Sequence, residues 1–411
     1  MRPGTRFVAS PNPSRDPGHV KPLDLSTTYH TPDVTEAVES IEALAQGGAE
    51  APNPVYARLY NANVRDFEER MTSLEGGVDS VAFASGMAAV AGLLMAARSR
   101  GRHIVAIPPL YGGTHHLLES GLLDLDVTWS GPEEAADALR PDTALVFVET
   151  PANPTLCLRD IEALARAVHP VPLAVDSTFA TPALQQPLGL GAAFSLHSAT
   201  KFIGGHGDAL GGVVSTTDAE NAALLRQVRI ATGGILHPLA AHLLIRGLKT
   251  LPVRMAAAQA RAQELVRRLE AQAQVVEVFY PGRGDGAHLV HSQMSGPGAV
   301  LSLRLRGGPA RADAFVQALQ VVTPAVSLGS VDTLIQRPAA LTHRIVGEAG
   351  RESAGISEDL LRISVGLEDV DDLWDDLAQA LTSTTAEPGP GRSGDPLLSH
   401  RERHVVGAGQ G

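Results

Sequence analysis

Cysteine occurs once in the 411 residues, at Cys157, so no disulfide can form within the chain and no zinc ribbon has its ligand pairs. A disulfide-stapled secreted fold is excluded, and a cytoplasmic protein without a metal site is expected. Aromatic residues make up only 4% of the chain; we attribute this to the Ala-, Gly-, Arg- and Leu-rich coding of a high-GC genome rather than to chemistry. Positive charge is not in excess either, because the formal net charge is −12 and the Lys and Arg residues are scattered. That leaves no footprint for nucleic acid and points to a small-molecule substrate. No apolar run approaches the roughly 20 residues that span a bilayer, and MRPGTRFVASPNPSRDPGHV at the start has no apolar core of signal-peptide length. Neither export nor membrane association is expected.

The apolar content of 44% is sufficient for one large domain and a smaller one, each with its own core. No repeat of solenoid length is visible. Residues 1–55 mix Pro, Gly and polar residues with short apolar pieces and read as an extended N-terminal arm that must pack on something else. From about Ser80, short β-rich runs alternate with helix-length stretches: SVAF, HIVAI, LDVTW, ALVFVE, PLAVD, AFSLH and GGVVS. Such alternation implies βαβ units, hence an α/β fold with a mostly parallel sheet covered by helices on both faces, over residues 56–240. A long helical stretch follows, with a kink or break expected at Pro252. The runs VVEVFY, AVLSLRL, AFVQALQ and LLRISVG then predict a smaller α/β domain over 241–385, and residues 386–411 read as a disordered tail.

In sheets of this kind, chemistry gathers at the carboxyl ends of the strands. The residues there fit the needs of pyridoxal 5′-phosphate (PLP): an amine for its aldehyde, a carboxylate for its ring nitrogen and donors for its phosphate. Lys201, in His197-Ser198-Ala199-Thr200-Lys201, is the candidate amine, with the hydroxyls of Ser198 and Thr200 facing the phosphate. Alone, this short pattern is equally a surface-loop lysine. Asp176 ends the apolar strand PLAVD twenty-five residues earlier, where a buried carboxylate needs a partner that a protonated pyridine supplies; by itself it could also be a helix cap. Gly86 and Met87 open a helix directly after SVAF, so their backbone N–H groups are candidate phosphate donors, although small residues opening a helix also serve packing. The competing α/β reading, a nicotinamide-dependent dehydrogenase, lacks its Gly-x-Gly-x-x-Gly turn with an acidic residue about 20 positions on.

These motifs occur together with Pro54-Val-Tyr56-Ala-Arg58, Pro109-Leu-Tyr111-Gly-Gly113-Thr, Glu149-Thr-Pro-Ala-Asn153-Pro, Ser327-Leu-Gly and Leu361-Arg362-Ile-Ser-Val-Gly. In this order, from about Leu23 to Leu381, the chain resembles the Cys/Met-metabolism, or transsulfuration, family of PLP enzymes. The resemblance implies the aminotransferase-like fold, type I. It also implies that Tyr111 stacks on the cofactor ring and acts as an acid or base near the substrate amine, that Asn153 lies beside the phenolic oxygen, and that Arg362, with Ser327 close by, binds the substrate α-carboxylate. Tyr56 and Arg58 would reach the phosphate of a neighbouring subunit's cofactor, in a homotetramer built as a dimer of dimers.

Elimination of a γ-substituent from methionine, homocysteine or cystathionine is the preferred reaction. Replacement on an O-acylhomoserine remains the alternative, since the motifs serve steps common to both; a catalytically silent PLP-binding protein would need a reacting group missing, and none is. Two positions bear on the substrate. Relatives acting on cystathionine usually carry a glutamate where this chain has Val326, and methionine γ-lyases usually carry a cysteine where it has Gly113. In the loop after Arg58, this chain has Ala62 in place of the proline common in the family.

Overall fold

The computed structural model describes residues 2–9, 19–284 and 286–384; the expected disordered tail lies outside them. All seven strands expected in the large domain form. They are β1 (Asp79–Phe83), β2 (His103–Ile107), β3 (Asp126–Trp129), β4 (Thr143–Glu149), β5 (Leu173–Asp176), β6 (Phe194–His197) and β7 (Gly212–Thr216), in the order β1-β7-β6-β5-β4-β2-β3. The pairs among β3, β2, β4, β5 and β6 are parallel, while β7 runs antiparallel to β6 and β1.

Alternation along these strands explains why the sheet is covered on both faces. Ile104, Ala106, Leu145, Phe147 and Ala174 enter the core beneath the helix Gly86–Arg98. Their neighbours Val105, Ile107, Val146, Val148 and Val175 enter the opposite core, beneath the helix Ile161–Val168. Successive side chains of a strand point to opposite faces, and strands apolar at both sets of positions are what a buried parallel sheet requires.

A second sheet has the order β10-β11-β12-β9-β8, built from β8 (Val275–Phe279), β9 (Val300–Leu305), β10 (Thr323–Pro324), β11 (Leu334–Gln336) and β12 (Leu360–Ser364). All its pairs are antiparallel except β10 with β11. β10 and β11 are two and three residues long, too short for a period-2 signal in the sequence.

Two expectations about local structure change. Of the kink or break expected at Pro252, the break does not occur: the helix Pro238–Glu270 continues through that residue. A proline in a helix removes one backbone bond, at a cost of about 3 kcal/mol. Burial of Leu244, Leu248, Leu251 and Met255 on either side of it outweighs that loss, at roughly 1.5–3 kcal/mol for each large apolar side chain. Within the N-terminal segment, the chain is not extended throughout: it forms helices at Pro3–Val8 and Val34–Ala45, the second capped by Asp33. Phe7 from the first is buried in the core that also contains Phe67, Phe202 and Leu248. Among the described residues, no helix is long and apolar enough to cross a membrane.

Candidate active site

The carboxyl ends of β4, β5 and β6 and the start of the helix Gly86–Arg98 converge on a cavity of about 450 Å³, completed by residues of the Ala325–Gly329 turn and β12. Every sequence-expected site residue lines it except Tyr56 and Arg58.

At one end is an anion cradle. Ser85 caps the helix, its Oγ accepting from Ala88 N at 3.1 Å while its carbonyl accepts from Ala89 N at 3.0 Å. The N–H groups of Gly86 and Met87, the two residues between Ser85 and Ala88, have no acceptor among the described residues, which is the usual state of a helix's first donors. Gly86 is needed there: a β-carbon on it would lie 2.8 Å from both Cβ and Oγ of Ser198. Two free N–H groups, a serine hydroxyl and the positive end of a 13-residue helix form a ready anion site. Thr200 also lines the cavity, but its hydroxyl is tied to the backbone of Gly211, donating to the carbonyl at 3.2 Å and accepting from the N–H at 3.0 Å.

On the floor of the cavity, strand register sets Glu149 beside Asp176. The Thr178 N–H and hydroxyl donate to Asp176 Oδ1 at 3.0 and 2.6 Å, and the same hydroxyl accepts from Ser198 N at 2.9 Å. Asp176 Oδ2 has no protein donor among the described residues, and burial pushes the carboxyl's pKa up. A buried acceptor of this kind favours a cationic donor. Glu149 has a different task. Its two oxygens accept from Tyr111 N at 2.7 Å and Asn153 N at 2.9 Å, so one side chain positions the two loops that present Tyr111 and Asn153. Burial, then the neighbouring Asp176 charge, pushes Glu149 well above the usual carboxylate range.

Opposite these groups, Lys201 Nζ donates to Ser327 Oγ at 2.7 Å. Burial of the side chain, followed by the Arg362 charge, lowers its pKa to about 8. Arg362 is buried on β12, donating to Asn153 Oδ1 at 2.9 Å and to the Ser327 carbonyl at 2.5 Å. The Gln336 amide, with its oxygen turned toward the guanidinium, accepts from it at 2.7 and 3.1 Å. Arg362 Nε is buried without a partner among the described residues, and burial lowers the group to about 10. Among the described residues no carboxylate lies within ion-pair distance of this arginine, although the Glu149 charge acts on it from further off, which leaves it suited to an incoming anion.

Tyr56 and Arg58 stand apart from the cavity. Tyr56 is 40% exposed, and Arg58, whose guanidinium lies 5.6 Å from the Tyr56 ring centre, donates to the Ile230 carbonyl at 3.0 Å. Three contributors were not singled out as site residues from sequence: Glu149, Thr178 and Gln336. Glu149 and Thr178 did carry a signal, a polar residue at or just after the end of an apolar strand. Gln336 carried none, because β11 is too short to place it.

PLP asks for an amine, a carboxylate for its ring nitrogen and an anion cradle, and the free Asp176 oxygen, the two free N–H groups over Ser198 and the Lys201 amine meet those demands in one cavity. Fold and cavity together define a PLP-dependent α/β enzyme. The model of the Cys/Met metabolism PLP-dependent enzyme family matches residues 5–382. An L-methionine gamma-lyase of Streptomyces avermitilis is 53% identical over 365 residues, 88% of this chain and 84% of the relative. A cystathionine gamma-lyase of Bacillus subtilis is 41% identical over 335 residues, 79% of this chain and 88% of that one. The solved structure of a cystathionine gamma-lyase from Micromonospora echinospora superposes with a TM-score of 0.82 at 37% identity, over 93% of this chain and 99% of the other. The chain belongs to the Cys/Met metabolism PLP-dependent enzyme family, as a carbon–sulfur lyase whose cofactor is pyridoxal 5′-phosphate.

Proposed function

We propose that the protein is a γ-lyase for L-methionine and closely related thioethers, converting methionine and water to methanethiol, 2-oxobutanoate and ammonia. The observation that carries this reading is the apolar mouth of the cavity. Leu210, Val326 and Leu341 line it and are all more than half exposed, so the distal end of a substrate meets hydrocarbon and, among the described residues that line the mouth, no carboxylate that would pair with the ammonium group of cystathionine. The 53% identity to an L-methionine gamma-lyase supports the same choice.

In this reading Lys201 would hold the cofactor's aldehyde, Asp176 its ring nitrogen, and Gly86, Met87 and Ser198 its phosphate, with Thr200 lining the same end while its hydroxyl stays bonded to Gly211; Tyr111 would face the ring and Asn153 the phenolic oxygen. Bound PLP supplies an electron sink conjugated to the substrate Cα. Arg362, with Ser327 beside it, binds the substrate carboxylate. The Lys201 amine, whose lowered pKa leaves a substantial neutral fraction near pH 8, would take the proton from Cα, pass it on and so return to the neutral form, and then take a proton from Cβ. Tyr111 exchanges a proton at the substrate amine. Departure of the γ-thiolate is then followed by hydrolysis.

We further infer that the active unit is at least a dimer within a homotetramer, located in the cytoplasm. Tyr56 and Arg58 are exposed and lie outside their own subunit's cavity, which supports their serving a neighbour's cofactor phosphate. We also propose the division into an arm (1–55), a PLP-binding domain (56–240) and a C-terminal domain (241–385), supported by a core formed within residues 262–381 separate from the two cores flanking the large sheet.

The test is product analysis of the purified protein with PLP. Methanethiol and 2-oxobutanoate from L-methionine are expected. Faster formation of cystathionine from an O-acylhomoserine and cysteine than degradation of methionine would replace this reading with γ-replacement.

A further inference from the structure

Arg254, in the middle of the helix Pro238–Glu270, is a buried guanidinium with no carboxylate within ion-pair distance among the described residues. Burying such a charge is costly unless its donors are used. They are used on backbone near Lys201. Nη1 donates to the Phe202 carbonyl at 2.8 Å, Nη2 to the Ile203 carbonyl at 3.4 Å and to Gly247 O at 2.9 Å, and Nε to Thr250 Oγ1 at 3.1 Å. Burial lowers its pKa to about 10.

The surrounding backbone is shaped to this contact. Gly205, at φ 75°, would put a β-carbon 2.1 Å from Arg254 Nη1, so the chain passes the guanidinium only as glycine. Gly205 N donates back to the Lys201 carbonyl at 2.8 Å, closing the turn that follows the lysine. From the other side the Ser327–Gly329 turn presses on the same peptide: a β-carbon on Gly329 would lie 2.4 Å from Phe202 N and 2.9 Å from the Lys201 carbonyl carbon. The peptide joining Lys201 to Phe202 is therefore packed against Gly329, while Arg254 holds the carbonyl of the next residue.

We propose that Arg254 is a positioning residue for Lys201: its guanidinium fork fixes the backbone after the lysine and so sets where the amine stands relative to Ser327 and the reacting carbons. The proposal rests on Lys201 being the cofactor-bearing lysine. Planar, forked geometry is the reason for arginine rather than lysine here, since an ammonium cannot span two successive carbonyls and a third in the helix. Lys201 must serve more than one substrate carbon, and a displacement of about 1 Å in such a group costs on the order of 10²-fold in rate.

The experiment uses the full-length holoenzyme and the variants Arg254→Ala and Arg254→Lys. Borohydride reduction and peptide mass analysis of the wild type first establish whether PLP is attached at Lys201; attachment elsewhere overturns the Lys201 reading on which the proposal rests. With attachment at Lys201, three quantities are measured: the pH midpoint of the bound cofactor's visible absorbance, kcat against KM for methionine, and Tm. The expected result for Arg254→Ala is a displaced midpoint and a kcat reduced about 100-fold with a much smaller change in KM. Guanidinium ion, at a concentration without effect on the wild type, should move both back toward wild type. Arg254→Lys should stay displaced in the same direction, because charge alone does not restore the fork. A lowered Tm with wild-type midpoint and kcat overturns the proposal, as does a loss that guanidinium leaves unchanged. If Arg254→Ala does not fold, the midpoint and kcat of Arg254→Lys decide: wild-type values overturn the proposal and displaced values support it.

Discussion

Ser327 joins the two cationic groups of the site: its hydroxyl accepts from Lys201 Nζ at 2.7 Å and its carbonyl accepts from Arg362 at 2.5 Å. It does so at φ 93°, a region that a residue with a side chain seldom occupies and that is held by the packing around it. Ser327→Ala removes the hydroxyl and keeps the carbonyl. The expected outcome is a loss in kcat with KM for methionine little changed, since the hydroxyl faces the amine and the carbonyl faces Arg362, the residue proposed to bind the substrate carboxylate. Steady-state kinetics would decide, and a change confined to KM would contradict this division.

Lys201 should react as an unusually acidic lysine. In the protein stripped of PLP, amine-directed labelling of Lys201 should rise with a midpoint near pH 8 instead of near the ordinary lysine value of about 10.4. Arg362→Gln should move that midpoint upward, because it removes a neighbouring positive charge while burial remains. The sign for stability follows. Between the folded pKa of about 8 and the ordinary value, the unfolded chain binds the proton that the folded chain has released, so this group's contribution to stability rises with pH across that window. A labelling midpoint near 10 in the unsubstituted protein would refute the lowered pKa.

Gly86→Ala should weaken PLP binding. The added carbon would meet Ser198 Cβ and Oγ at 2.8 Å, intruding on the cradle without touching Lys201 or Asp176. A raised PLP dissociation constant is expected with Tm of the PLP-free protein changed little, measured by cofactor titration and thermal unfolding. Unchanged PLP affinity would remove this turn from the phosphate site.

Arg58→Ala and Lys201→Ala should each be inactive, the latter losing kcat by roughly 10²–10⁴-fold. Mixing them under conditions of verified subunit exchange should restore part of the activity. Recovery is expected because a mixed dimer contains one cavity with Lys201 from one chain and Arg58 from the other. Exchange without recovery would rule out a site shared in this way.

Val326→Glu separates the two substrates by sign. For methionine the change should lower kcat/KM, since an unpaired carboxylate would face a thioether. For cystathionine it should raise kcat/KM, the distal ammonium gaining a partner worth about 1.5–3 kcal/mol. Equal effects on both would show that Val326 does not touch the distal group.

Lys201, Asp176, Gly86 and Ser198 were legible in the sequence because each stands at or just after the end of an apolar strand, and strand ends in a parallel sheet share one edge. The same pattern gave the seven strands of the large sheet, whose runs are four to seven residues long. Motif order placed Tyr111, Asn153, Ser327 and Arg362 in the same site, although nothing local to β12 says that Arg362 is buried.

Tertiary structure decided the rest, because those features depend on contacts between segments far apart in the chain. Glu149 holding the Tyr111 and Asn153 loops, Gln336 facing Arg362 and Arg254 clamping the turn after Lys201 are such contacts. So is the continuity of the long helix through Pro252: local propensity argues for a break, and the burial of Leu248 and Leu251 against other segments provides more free energy than one backbone hydrogen bond removes. Composition and strand periodicity are local properties and are written in the sequence; the pairing of buried charges is not, since it exists only once the strands and helices have brought the groups within a few ångströms.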